Sequence, residues 1–215
     1  MTDTEKSAPI RRRQQQRSID TRLKITRAAL AQFALLGFDG ASTRGIALAA
    51  AVPHSLVLHH YKSKTELWYE TVSSIIAVYR ERMVDDAGLQ EQSAADRLRH
   101  FLADYIRFSA AYPDFFCMMT QENLRKSDRL RWLVEHHVGK VAAHLTALIA
   151  QAQANGTFVA GDPLQLMYVF LGSATSPYRS AAEIELLTGQ SAGDPARVEQ
   201  HIQICLSLFM RDRKD

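Results

Sequence analysis

Cysteine is scarce in this chain. Only Cys117 and Cys205 occur in 215 residues, far apart and at no metal-binding or redox spacing. That excludes a disulfide-stapled secreted scaffold and points to a reduced, cytoplasmic setting. Long apolar runs are missing as well, and no stretch reaches the roughly 18 residues a membrane span needs. Residues 1–17 lack the apolar middle of a secretory signal. Beyond Trp68 there is no alternating strand pattern, and breakers are widely spaced, so the chain reads as a series of helices.

The signatures of catalysis are absent too. No His-Glu-x-x-His, Gly-x-Ser-x-Gly or phosphate loop occurs. The pairs His59-His60 and His136-His137 invite a metal reading, but helical neighbours point about 100° apart and cannot chelate one ion by themselves. His137 and His144, a heptad apart, read as core or pocket residues rather than ligands. No nucleophile–base pair stands out. The expectation is a protein that is not an enzyme, with no cofactor and no metal.

What is present is uneven charge. Residues 1–70 hold 11 Lys and Arg against 6 Asp and Glu, whereas the remainder holds 15 against 17. A basic N-terminal third on a near-neutral body suits a polyanion at one end. Residues 1–18, with Arg11-Arg12-Arg13, Gln14-Gln15-Gln16 and Arg17, are too polar to bury a core and are expected to form a disordered basic arm. Such an arm can lie along phosphates or enter a minor groove; a solubilising tail is the alternative.

The arm leads to the stretch that organises the chain. A first helix is expected with Ser18 or Asp20 as its cap, Leu23, Leu30 and Phe33 on one side, and Gly37 as its C-terminal stop. Thr43 reads as the start of a short second helix whose apolar face is Ile46, Ala47 and Ala50. Pro53 cannot continue that helix but suits the first turn of the next. Two short helices joined by about three residues form a helix-turn-helix, whose second helix can enter the major groove. Ser63-Lys64-Thr65-Glu66 is a capping box that opens a further helix at Leu67-Trp68, expected to run to about Asp86 and to break at Ala87-Gly88.

The body continues in the same style. Ser93-Ala94-Ala95-Asp96 is another capping box, and Pro113-Asp114 opens a shorter helix. A long helix is expected over 128–153, with a stripe of Leu130, Leu133, Val134, His137, Val141, Leu145 and Leu148, closed by Asn155-Gly156. Asp162-Pro163 and Asp194-Pro195 open two last helices, about 163–187, with a break near Ser176-Pro177 as a possibility, and 195–211. Between 101 and 132 lie more aromatic and sulfur side chains than one helix interface needs. Pockets between bundle helices are lined in this way, although ordinary core is the alternative for any one of them.

The N-terminal stretch resembles the DNA-binding domain of the TetR family of transcriptional regulators. The matching residues are Arg22, Ile25 to Phe33, Gly37-Phe38, Ala41-Ser42-Thr43-Arg44, Ile46-Ala47, Val52 and His60-Tyr61-Lys62-Ser63-Lys64-Thr65-Glu66-Leu67. The chain departs from the family pattern at Ala51, where Gly is usual, at Leu56, usually polar, and at Leu58, usually aromatic. The resemblance implies an all-α fold: a three-helix helix-turn-helix domain over 19–66 and a helical ligand-binding and dimerisation bundle over 67–215. It implies DNA contacts from Ser42, Thr43, Arg44, Pro53, His54, Ser55, His59, His60 and Lys64. Phosphate grip falls to Thr43 and Arg44, base edges to Pro53, His54 and Ser55, and backbone contact to His60 and Lys64.

For the body, the resemblance implies a homodimer joined through the last two helices, with Leu166, Val169, Phe170, Ile202, Leu206 and Phe209 as apolar candidates. The aromatic-rich segment and its few polar groups suggest a small, mostly apolar effector, aromatic or acyl in character. Its candidate contacts are Phe101, Tyr105, Phe108, Phe116, Met119 and Trp132, with Glu122, Asn123, His136 and His137 as the polar groups. The expected function is a ligand-responsive regulator, a repressor, bound to a palindromic operator of double-stranded DNA. A helical protein–protein interaction module without ligand control is the alternative.

Overall fold

The computed structural model describes residues 4–84 and 92–211. The expected break at Ala87-Gly88, residues 1–3 of the arm and the side chains of Arg11, Arg12 and Gln14 lie outside that description. Among the described residues eleven α-helices follow one another, and the chain divides into two compact units, 1–75 and 76–215.

In the first unit, α1 (Thr4–Gly40) begins far earlier than a cap at Ser18 or Asp20 would place it. This corrects the expectation of disorder over 4–18. Gln, Arg, Lys and Glu dominate that stretch, and all are good helix formers that extend a helix already nucleated downstream. Asp20 instead accepts from Gln16 Nε2 one turn back. The buried face is Ile25, Ala29, Leu30 and Phe33; Leu23 is half exposed, off that face. Gly37 has φ 69 and ψ 175, a bend that a side chain would resist, and one further turn follows it.

Next come α2 (Thr43–Ala49) and α3 (His54–His60). The cap of α2 is Ser42, not Thr43: the Ser42 hydroxyl accepts from the Gly45 amide at 3.0 Å. Ile46 and Ala47 face the core, as their spacing predicts. The turn between the helices holds Ala51 at φ 53, the left-handed conformation for which Gly is the usual choice. The helix α4 (Lys64–Val84) opens as its capping box predicts, with the Glu66 amide donating to Ser63 Oγ. The Glu66 carboxylate reaches back to the Lys62 amide at 2.8 Å. Tyr61, Leu67, Trp68 and Val72 are all but fully buried. They explain why the first unit extends past residue 66: the first turns of α4 complete its core.

The second unit holds α5 (Ala94–Ala111), α6 (Pro113–Glu122), α7 (Asp128–Leu133), α8 (Gly139–Ala154), α9 (Pro163–Arg179), α10 (Ala181–Thr188) and α11 (Pro195–Phe209). Its core joins α5, α8, α9 and α11 through Leu98, Ile106, Leu145, Ile149, Phe170 and Ile202. The caps at Ser93, Asp162 and Asp194 are those that the sequence marks. One long helix was expected over 128–153, but α7 and α8 are joined by a π-turn, Val134–Val138. The extra residue rotates the apolar stripe, so Val134 and Val141 are exposed while Leu133, Leu145 and Leu148 stay buried. Gly139 donates to the Val134 carbonyl there, and a Cβ on it would sit 3.0 Å from that oxygen.

The helix α9 runs through Pro177 without breaking and stops at Ser180. A short antiparallel pairing of 157–159 with 209–211 ties the start of the last helix pair to its end.

Candidate nucleic-acid interface

The packing of α2 and α3 decides which residues are left to meet DNA. Val57 is fully buried and sets the inward side of α3. Pro53, Ser55 and His59 are exposed, and so are Ser42 and Arg44 at the start of α2. An exposed guanidinium beside the first amides of a helix is an anion-binding arrangement. The structure therefore brings Ser42, Arg44, Pro53, Ser55 and His59 to the surface of one compact unit.

Four predicted residues are engaged elsewhere. Thr43 Oγ1 and His54 Nε2 are 3.0 Å apart, joining the two helices of the motif. Lys64 Nζ donates to the Phe38 carbonyl at 2.8 Å and the Ala41 carbonyl at 3.0 Å, and lies 4.4 Å from the Phe38 ring centroid. It thus holds the end of α1, where orphan carbonyls favour a cation. The His60 imidazole is partly covered, and burial, His59 and then Arg22 hold its pKa below the ordinary 6.5. Sequence spacing could not reveal the Thr43–His54 and Lys64–α1 contacts, which join residues from different helices. Arg22, by contrast, was legible only as a family match; it pairs with Glu70 at 2.9 Å and lies over the Tyr61 ring.

In the body, the aromatic segment packs ring against ring. Phe108 meets Tyr79 and Tyr112 at 4.7 Å, and Phe116 meets Tyr105 at 5.5 Å and Phe115 at 5.4 Å. Phe101, Phe108 and Phe116 are buried; Tyr105 and Met119 are partly so. Glu122 is buried, accepts from Ser127 Oγ, and pairs with Arg129 Nε at 3.1 Å, so its carboxylate braces the α6–α7 corner. Asn123 is exposed as the C-cap of α6.

The π-turn gathers a different set. His136 stacks on Trp132 and donates Nδ1–H to the Trp132 carbonyl at 2.9 Å. His137 packs its ring on Trp132 at 4.9 Å, and its Nδ1 accepts from Arg80 at 3.3 Å. A guanidinium can only donate, so Nε2 carries the His137 proton, and that N–H is buried with no hydrogen-bonding partner. Burial first, then Arg80 and His136, lower the His137 pKa below 6.5. Away from this segment, a cavity of about 260 Å³ lies among α9, α10 and α11, lined by Tyr178, Ile184, Arg197, His201 and Ile204 among others.

The proposed dimer residues divide. Phe170, Ile202 and Phe209 are buried in the unit's own core, which corrects their assignment to an outer face. Val169 is exposed, with Leu164 and Tyr168 on α9 and Ile204 and Leu208 on α11. Period-3.6 helices of this kind bury one side and leave the other, and sequence alone does not say which side meets which partner. Among the described residues no helix is long and apolar enough to cross a membrane.

Comparison with known proteins agrees with this architecture. A family model for bacterial regulatory proteins of the tetR family matches residues 25–70, and one for the tetracyclin repressor-like C-terminal domain matches residues 95–208. No curated protein matches the sequence. Among solved structures, a Streptomyces coelicolor protein named as a transcriptional regulator is 22% identical, with a TM-score of 0.63 over 90% of this chain and 99% of that one. A Clostridium perfringens protein named as a fatty acid metabolism regulator is 19% identical, with a TM-score of 0.67 over 86% and 96%. A Saccharomonospora viridis protein named as a transcriptional regulator, in complex with choline, is 16% identical, with a TM-score of 0.62 over 90% and 99%. These likenesses show the fold, and the family models cover both units. The chain belongs to the TetR family and is a transcriptional regulator, not an enzyme, with a DNA-binding helix-turn-helix.

Proposed function

We propose that this regulator is a cytoplasmic repressor that binds a palindromic operator as a homodimer and is released by a small, mostly apolar effector. The observation that carries the DNA half is the free face of α3, where Ser55 and His59 stand clear of the core in the most basic part of the chain. The reader corresponds to residues 19–66 completed by the first turns of α4, the sensor and dimer unit to the rest, and residues 1–18 to a basic arm along the duplex. Exposed Arg44 and the N-terminus of α2 supply phosphate contacts beside the α3 face, at whose start Pro53 is also exposed.

Two identical readers match a palindrome only through a two-fold axis. The exposed apolar positions of α9 and α11, Tyr168, Val169, Ile204 and Leu208, support a face for the second copy. For the effector, the support is the buried, unpartnered His137 Nε2–H next to Trp132 and close in sequence to the aromatic segment. A mostly apolar molecule carrying one hydrogen-bond acceptor suits it.

The test is a thermal-shift screen of apolar and aromatic carbonyl compounds with operator affinity read in parallel by fluorescence anisotropy. A stabilising compound should weaken operator binding about 5- to 150-fold, the usual range of coupling between two sites. Trp132→Ala should lose that response and keep operator binding. Stabilising compounds that leave operator affinity unchanged would contradict the effector half, and failure to bind the DNA upstream of its own gene would contradict the DNA half.

A further inference from the structure

The free face of α3 carries one residue that no phosphate or polar base edge explains. Successive residues on an α-helix turn by about 100°. With Val57 inward, Ser55 and His59 both lie nearly opposite it, and Leu58 falls on the flank between Val57 and His59. Leu58 is 45% exposed, on a seven-residue helix whose other outward residues are polar. Leucine can neither donate nor accept a hydrogen bond, so its only favourable partner on a duplex is apolar surface. In the major groove the four base pairs differ in their donors and acceptors, and thymine alone adds a methyl group, at C5.

We propose that Leu58 reads the 5-methyl group of a thymine in each operator half-site, beside the polar readers Ser55 and His59. The inference rests on α3 entering the major groove. It assigns to this chain a methyl-dependent element of sequence preference at the flank of α3, next to whatever base Ser55 and His59 contact. Leu56, on the opposite flank, is less exposed and is not part of the assignment.

The experiment begins with an operator selected from a random duplex pool by the full chain. Selected sequences should hold thymine fixed at one position of each half-site. Replacing that thymine by deoxyuridine removes the methyl and nothing else, and should weaken binding about 4-fold per half-site, the effect of exposing one methyl-sized group. The wild-type chain makes this measurement without any variant. Leu58→Ala, melting as the wild type does because the site is exposed, should bind thymine and uracil forms alike. Indifference of the wild-type chain to uracil at every half-site thymine overturns the proposal, as does a Leu58→Ala variant that still distinguishes the two. If no sequence is selected at all, the placement of α3 in the major groove fails and the proposal with it, an outcome distinct from selection without methyl dependence.

Discussion

Thr43 Oγ1 and His54 Nε2, 3.0 Å apart, tie the first residue of α2 to the first residue of α3. The bond fixes the angle between the two helices of the motif and takes the His54 ring off the free face. His54→Ala and Thr43→Val should each lower stability by about 1 kcal/mol, the usual net value of such a bond. The double variant should cost little more than either single one. Operator and scrambled duplex should lose affinity together, because the reader loosens instead of losing a base contact. Ser55→Ala, by contrast, should relax preference at one half-site position. Urea unfolding and anisotropy titrations on both duplexes check this, and a change in sequence preference in His54→Ala would reverse the assignment.

Lys64 offers the second prediction. Its ammonium is held by two carbonyls near the end of α1, so it secures the first helix to the fourth. Lys64→Met keeps the stem and removes the charge. Hydrogen bonds to charged groups are worth about 1.5–3 kcal/mol, and a loss of that size should appear as a lower midpoint in urea. A variant with unchanged midpoint but weaker DNA binding would show that Lys64 serves only the phosphates.

The third prediction concerns Pro177, which removes the amide that would otherwise meet the Ser173 carbonyl four residues back. His201 Nε2 from α11 donates to that carbonyl at 3.1 Å, so a neighbouring helix supplies the missing donor. His201→Leu should cost about 1–3 kcal/mol by leaving a carbonyl unsatisfied. In a Pro177→Ala background the penalty should shrink, because the restored amide closes the helix itself. A double-mutant cycle reads the coupling directly; equal penalties in both backgrounds would separate the two residues.

How much of this was legible depended on the range of the interaction. Ser63, Ser93, Asp162 and Asp194 were found as caps because a cap and its helix are neighbours in sequence. The start of α1 was missed because propensity extends a helix without any local signal at its end. The π-turn at Val134–Val138 was invisible because one inserted residue leaves the spacing of apolar residues nearly helical. The span expected as one helix over 163–187 is divided at Ser180, three residues past Pro177, and the donor that His201, 24 positions on from the proline, gives to the Ser173 carbonyl could not be read from spacing. Of the candidate site, the helices could be placed from sequence, but the division between exposed Ser55 and His59 and engaged His54 and Lys64 could not.

Acid should weaken the fold in a defined way. His137 and His60 both sit below the ordinary 6.5, each mainly through burial. Just below pH 6.5 the unfolded chain binds protons that the folded chain refuses, so stability rises with pH across that window. Stability should therefore fall as pH drops below 6.5 and level off once the folded imidazoles charge. His137→Phe should show a shallower fall in denaturant midpoints measured from pH 7.5 to 5. An identical slope would assign the acid sensitivity to other groups.

The proposed dimer face gives a paired prediction. Val169→Asp and Leu208→Asp alter exposed positions and should yield folded monomers with weakened operator binding. Phe170→Asp and Phe209→Asp alter the core and should unfold the second unit instead, since a buried unpaired charge is expensive. Sedimentation with circular dichroism separates the two outcomes. A folded dimer in both exposed variants would place the second copy on another face.

The central claim, that two copies of this chain read DNA through α3, is tested most directly by selection of bound duplexes from a random pool with the full-length chain. The account predicts enrichment of an inverted repeat whose half-sites are spaced by one helical turn or a multiple of it. Ser55→Ala should shift the preferred base at one position in both halves. Recovery of unenriched sequence, or of a motif without two-fold symmetry that Ser55→Ala leaves untouched, would contradict it.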